Sequence, residues 1–302
     1  MKKVLITGSS GTIGTRLFET LLNKGYQVVG FDKKENVWHE HLQNLTIIGD
    51  LLNKEDVKKI PKDIDMIVHL AANARVYDLV VEPELALENV ISTHNILSFA
   101  KSMGVKKIIF SSSREAYGNR KKILAKEGDV DIQLCESPYA ASKIADEALV
   151  YSFSKCYGIN YVVFRFSNVY GRYDESDRFI PLLIRKMKKD EPIEIFGKDK
   201  MLDFTYIDDC VEGIISAIKN FSKVKNNTFN LAYGKGETLL AVANLMKVIM
   251  KSKSIVSLGK NRKGEVIKYV ADISKAKKIL GYVPKHTIEK GLALAIEWYN
   301  KR

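Results

Sequence analysis

Cysteine is scarce. The 302-residue chain has three, Cys135, Cys156 and Cys210, an odd number with no CxxC spacing. Neither a disulfide framework nor a zinc site is indicated, and a reducing cytoplasm fits that usage. No stretch approaches the ~20 apolar residues of a membrane span. The start, Lys2-Lys3 before Val4-Leu5-Ile6, mimics an export signal, but its apolar run stops at Thr7-Gly8, too short for the core of such a signal. Internal repeats and low-complexity segments are missing too.

Acidic residues are in deficit, 36 against 48 lysines and arginines, for a formal net charge of +12. The excess is scattered over every candidate helix. Its densest runs, Arg120-Lys121-Lys122 and Arg185-Lys186 with Lys188-Lys189, are short and carry no interleaved aromatic residues. The charge therefore reads as solvated faces with some attraction for a substrate phosphate, and not as a nucleic-acid platform. Hydrophobic residues, 46% of the chain, suffice for a large core.

What is present is a rhythm. Short apolar runs alternate with longer amphipathic ones over the first two-thirds of the chain, the pattern of β-α units in a parallel sheet. It predicts strands at 3–7, 27–31, 45–48, 66–70, 107–111 and 161–166, and helices at 14–23, 54–59, 84–103 and 139–157. Gly25, Gly104 and Gly158 stand where three of these helices need a left-handed exit, and Pro138 suits a first helical turn. After Phe166 the elements shorten. Helices are expected at 180–189 and 208–220, strands at 193–196 and 228–231, a helix from Thr238, and a last one over 288–299 with Ile288, Leu292, Ile296 and Tyr299 at helical spacing.

The first strand runs into Gly8-Ser9-Ser10-Gly11-Thr12-Ile13-Gly14, a GxxGxxG turn opening a helix. Glycines there let a pyrophosphate approach the free N–H groups of the helix. Asp32 follows at the end of the second strand, where a carboxylate accepts hydrogen bonds from an adenosine ribose. That selects NAD, although Lys33 and Lys34 beside it could compensate a 2′-phosphate. Asp50-Leu51 after strand three either line an adenine or cap the next turn. Tyr139 and Lys143 lie four apart, on one helix face. A tyrosine, with an ordinary pKa near ~10, becomes a base at neutral pH only beside a cation such as Lys143. Ser113, in the Ser111-Ser112-Ser113 run ending strand five, emerges at the same carboxyl edge of the sheet and can hold a substrate hydroxyl. Taken alone, His69 reads as a packed strand histidine and Asn89 as a polar helix residue.

These motifs resemble the extended short-chain dehydrogenase/reductases, and within them the nucleotide-sugar epimerase/dehydratase family. The likeness also rests on His69-Leu70-Ala71-Ala72, Asn89, FSSSREAYG over 110–118, SPYAASK over 137–143, RFSNVYGR over 165–172, DFTYIDD over 203–209 and ADISK over 271–275, and so spans nearly the whole chain. It implies an α/β fold: a Rossmann-type doubly wound parallel sheet with a smaller C-terminal substrate-binding domain. The NAD-binding part would be 1–170, with 204–226 packing back on it, and 171–203 with 227–302 would bind the nucleotide-sugar. It further implies catalytic Ser113, Tyr139 and Lys143. Around NAD it places Gly8, Gly11, Thr12, Ile13 and Gly14, then Asp32, Asp50 and Leu51, then Leu70, Ala71, Ala72 and Asn89, then Ser111 and Phe166 with the catalytic pair. Asn168 would contact the substrate near its diphosphate and Arg262 would be its phosphate-binding arginine. Homodimerisation through helices 84–103 and 139–157 is implied as well.

Two departures matter. Members binding UDP-sugars usually carry an arginine where this chain has Leu202, so the diphosphate would lean on Arg262 with Arg172 or Arg178. Members that dehydrate carry Thr-Asp-Glu where this chain has Ser113-Arg114-Glu115. The expected reaction is therefore epimerisation at carbon 4 of a nucleotide-hexose, with UDP as the expected nucleotide, through a 4-keto intermediate. The alternatives are a dehydratase, decarboxylase or 4-keto-reductase on the same scaffold, for which Glu115 survives, and an NAD-sensing regulator, which need not keep the tyrosine, lysine and serine together.

Overall fold

Alternate residues of the first strand bury against opposite layers: Val4 and Ile6 join one apolar cluster, Leu5 the other. A strand buried on both faces belongs in a covered parallel sheet. The computed structural model, which describes residues 2–301, contains that sheet. Its seven strands are β1 (Lys3–Thr7), β2 (Gln27–Asp32), β3 (Thr46–Ile48), β4 (Met66–His69), β5 (Lys107–Ser113), β6 (Asn160–Phe166) and β7 (Asn227–Leu231). They pair in parallel in the order β3-β2-β1-β4-β5-β6-β7.

Helices α1 (Thr12–Asn23), α2 (Glu84–Met103), α3 (Pro138–Tyr157) and α4 (Ile207–Lys219) cover the two faces. Leu17, Phe18 and Leu21 of α1, with Ile214 and Ile218 of α4, complete the layer over Val4 and Ile6. Ile96 and Leu97 of α2, with Val150 of α3, complete the layer over Leu5. Each such side chain, taken fully out of water, stabilises the fold by roughly 1.5–3 kcal/mol before entropy is counted. Residues 204–206 belong to a strand of the smaller sheet, and the return to the large one begins with α4, which lies on α1 with Asp208 Oδ1 2.6 Å from Arg16 Nε.

A smaller lobe gathers at the carboxyl edge. Its three-stranded sheet joins Asn168–Tyr170, Met201–Tyr206 and Gly236–Thr238, a second pair joins Ile193–Phe196 to Val256–Gly259, and helices Phe179–Met187, Leu239–Met250 and Ile288–Asn300 pack around them. Besides 204–206, a second stretch departs from the expected domains. Residues 227–231, assigned from the sequence to the substrate lobe, are β7 and pair with β6, Asn227 opposite Val162 through Leu231 opposite Phe166. The expected helix 54–59 is also shorter, Lys54–Val57, capped where Asn53 accepts a hydrogen bond from the Glu55 N–H. Among the described residues no helix is long and apolar enough to cross a membrane.

Candidate active site

Strand order reverses between β1, which feeds β2, and β4, so the carboxyl ends diverge there and leave a crevice. A cleft of about 730 Å³ opens at this point and runs on between the lobes. Gly8 starts its floor with φ +71°, and a Cβ on it would stand 2.7 Å from the Ala71 nitrogen; one on Gly14 would stand 2.0 Å from the Gly8 oxygen. Neither position admits a side chain. Gly11 caps α1 in extended conformation without any side-chain cap, which leaves the first-turn N–H groups by Thr12 and Ile13 facing the cleft for an anion. Ser10, also in the wall, has a buried hydroxyl with no hydrogen-bond partner among the described residues. A cradle free of side chains, backed by N–H groups and a spare hydroxyl, fits a dinucleotide pyrophosphate.

Asp32 ends β2. Its Oδ2 accepts the Ser10 N–H and its Oδ1 the Lys34 N–H, both at 2.9 Å; burial pushes the carboxyl up while these N–H groups pull it back. Lone pairs remain for a ribose. Lys33 Nζ is 3.0 Å from Asp50 Oδ2 and 3.9 Å from Glu88 Oε2. It is thus already committed to carboxylates. Asp50 lines the cleft and caps the next turn, its Oδ1 accepting the Leu52 N–H. Leu51, Leu70, Ala71, Ala72, Ser111 and Phe166 all face the same cleft. Asn89 reaches it too, but its amide bonds the Asn73 backbone at both ends and the Ser142 hydroxyl, so it ties α2 to α3.

Across the cleft stands α3. Ser137 caps it by accepting the Ala140 N–H at 3.1 Å, which places Tyr139 and Lys143 on the first two turns, 7% and 2% exposed. Both line the cleft, as does Ser113 at the end of β5. Lys143 Nζ sits 5.0 Å over the Phe110 ring. Beneath it His69 is buried between Thr7, 2.6 Å from Nδ1, and Thr93, 3.2 Å from Nε2. Burial, and then the charge of Lys143, depress its pKa to about 3. The ring is neutral. Next to Ser113, Arg114 Nη2 lies 2.7 Å from Glu115 Oε1; burial pushes the Glu115 carboxyl up and Arg114 opposes it.

On the second lobe Asn168, Arg178 and Arg262 line the cleft. The Arg262 guanidinium stacks 4.5 Å from the Phe196 ring and 5.3 Å from the Tyr77 ring, joining the lobes. Arg172 is a correction, because it does not line the cleft and its Nη2 lies 3.7 Å from Asp208 at the start of α4. Its direction follows the turn at Gly171, which no spacing argument revealed. Leu202 occupies the wall where an arginine was missed, and Lys200, two residues earlier, lines the same wall paired with Glu265. Sequence reasoning passed over that lysine because it carries no motif.

Residues 4–232 match the sequence profile of the NAD dependent epimerase/dehydratase family. The chain belongs to this family. It is 31% identical, over 97% of its length and 95% of the other, to a UDP-glucuronate 4-epimerase of Thermodesulfobacterium geofontis. Among solved structures it superposes on a UDP-glucose 4-epimerase of Thermotoga maritima, with UDP-glucose, at TM-score 0.91 and 32% identity over 99% of both chains. A UDP-glucuronic acid 4-epimerase of Bacillus cereus, with UDP-glucuronic acid and NAD, gives 0.90 and 29%, again over 99% of both. As an epimerase-family member of the extended short-chain dehydrogenase/reductases, the chain has a Rossmann-type fold and NAD as its cofactor.

Asp32, Asp50 and Glu88 line the cleft and Lys33 is paired with two of them, so NAD is expected to bind more tightly than NADP. Asp32→Ala should narrow that preference. Titrating both cofactors into wild type and variant checks this, and tighter NADP binding by the wild type would remove Asp32 from the ribose.

Proposed function

We propose that the protein epimerises carbon 4 of a nucleotide-hexose, with a UDP-sugar as substrate. The observation that carries the reading is the convergence of Tyr139, Lys143 and Ser113 on the cleft wall facing the glycine cradle. Bound NAD supplies a hydride acceptor and donor at carbon 4. Tyr139, as phenolate stabilised by the Lys143 ammonium, takes the proton of the sugar 4-hydroxyl, and Ser113 holds that hydroxyl in line. Once the 4-keto sugar has turned over, so that its trigonal carbon 4 presents the other face, Tyr139 would return the proton to the carbon-4 oxygen. Asn168 and Arg262 hold the diphosphate end, with Arg178 on the same cleft as the second guanidinium. We assign residues 168–206 and 236–302 to the substrate lobe, and a homodimer through α2 and α3, with Leu87 and Ile91 exposed on the outer face of α2.

Elimination across carbons 5 and 6 would need an acid for the departing hydroxide. Arg114 cannot serve, since a guanidinium does not readily release its proton, and Glu115 is tied to it. A panel of nucleotide-sugars with products identified by NMR tests the reading. Substrate deuterated at carbon 4 should return the label to carbon 4, the substituent at carbon 6 should survive, and Glu115→Gln should slow turnover far less than Tyr139→Phe. A stable 4-keto-6-deoxy product, or carbon dioxide from a UDP-uronate, would replace epimerisation by the dehydratase or decarboxylase reading.

A further inference from the structure

Beneath the tyrosine-lysine pair lies a carboxylate that the proton transfer above does not use. Asp146 is one turn on from Lys143 along α3, with Oδ2 3.6 Å from Lys143 Nζ, and the two side chains are 0% and 3% exposed. Water does not reach Asp146. No partner stands at normal hydrogen-bond geometry to either Asp146 oxygen. Burial pushes the carboxyl up to about 6, against which the Lys143 charge acts.

The other groups around this spot are accounted for. His69, on β4, is neutral and bonded to Thr7 and Thr93. Glu147, the next residue of α3, is bound by Arg165, Ser112 and Tyr151. Phe110 on β5 offers Lys143 only a ring face. Among the described residues, Asp146 is the one carboxylate at ion-pair distance from the Lys143 ammonium.

We infer that Asp146 is a positioning residue, anchoring the Lys143 ammonium from the interior and tempering the positive charge it presents to the Tyr139 hydroxyl. The inference rests on the reading of Tyr139 as the base. A buried anion raises the proton affinity of neighbouring groups, and with two coupled groups the titration belongs to the pair. With Asp146 present the pair keeps its proton to higher pH, and the phenolate stays basic enough to take a proton from a sugar hydroxyl. Without it the ammonium acts in full, and the over-stabilised phenolate is a weaker base.

The test is the titration of Tyr139 in NAD-loaded protein, followed by NMR of tyrosine labelled with carbon-13 at Cζ, with Tyr139→Phe identifying the resonance. Asp146→Asn should lower the midpoint by roughly one pH unit or more, and Asp146→Glu should hold it near wild type. Asp146→Ser, which also removes the anion, should lower it similarly and keeps the inference testable if Asp146→Asn does not fold. An unmoved midpoint in folded Asp146→Asn, or in Asp146→Ser where that alone folds, would overturn the assignment. The readout is independent of turnover. A shifted midpoint without sugar epimerisation by wild type would leave Asp146 in place and sink only the substrate reading.

Discussion

Tyr139→Phe should lower turnover by at least ~100-fold while leaving the melting temperature close to wild type, because losing a positioned general base costs about 10²–10⁴ in rate. The ring stays. It is buried at the head of α3, which is held by the Ser137 cap and not by the phenolic hydroxyl. Lys143→Ala should lose as much activity, but it also strands Asp146 at 0% exposure with no counter-charge, so part of that loss would come through stability. Single-turnover measurements on folded protein separate the two. Near-normal turnover by folded Tyr139→Phe would exclude Tyr139 from the proton transfer.

How far such a site can be read from sequence depends on what each residue's role requires. The glycine turn, Asp32 and the tyrosine-lysine spacing were legible because each needs a fixed residue at a fixed place on a regular element, and β1 through β6 announced themselves by apolar runs. Strand Met201–Tyr206 was not legible. Its centre holds Asp203 and Thr205, both fully buried, which breaks the apolar pattern. Asp203 is tolerated there because the N–H groups of Tyr233, Gly234 and Ala271 donate to it, partners that only the folded chain brings together. β7 was recognised as a strand but placed in the wrong lobe, since nothing local says that the chain returns to the first sheet. Asp146 stood in plain view at Lys143 plus three, yet a carboxylate at that spacing is normally a solvated helix residue. Its burial alone gives it meaning.

The largest stability effect should come from Glu147, which fixes the helix that carries the site. Tyr139, Lys143 and Glu147 recur every four residues along one face of α3. Glu147 accepts from Ser112 Oγ at 2.6 Å on β5, from Tyr151 at 2.8 Å, and from Arg165 Nε and Nη2 at 2.8 and 2.7 Å on β6. Burial by itself would raise its carboxyl, but Arg165 and the two hydroxyls hold it below the ordinary value. Glu147→Ala leaves the Arg165 guanidinium, 4% exposed, with only the Tyr117 hydroxyl and the Glu127 carbonyl. An orphaned buried charge costs about 3–5 kcal/mol, a large part of the 5–15 kcal/mol typical of a whole fold. Because the folded carboxyl titrates below the unfolded one, the contribution is intact above about pH 4.3 and lost as pH falls through the folded value. Urea unfolding at pH 7 should show the full loss in Glu147→Ala, and the double variant Glu147→Leu with Arg165→Met should be less destabilised than the single change. A loss under about 1 kcal/mol in the single variant, on the scale of an exposed ion pair, would mean that α3 is held by its apolar face alone.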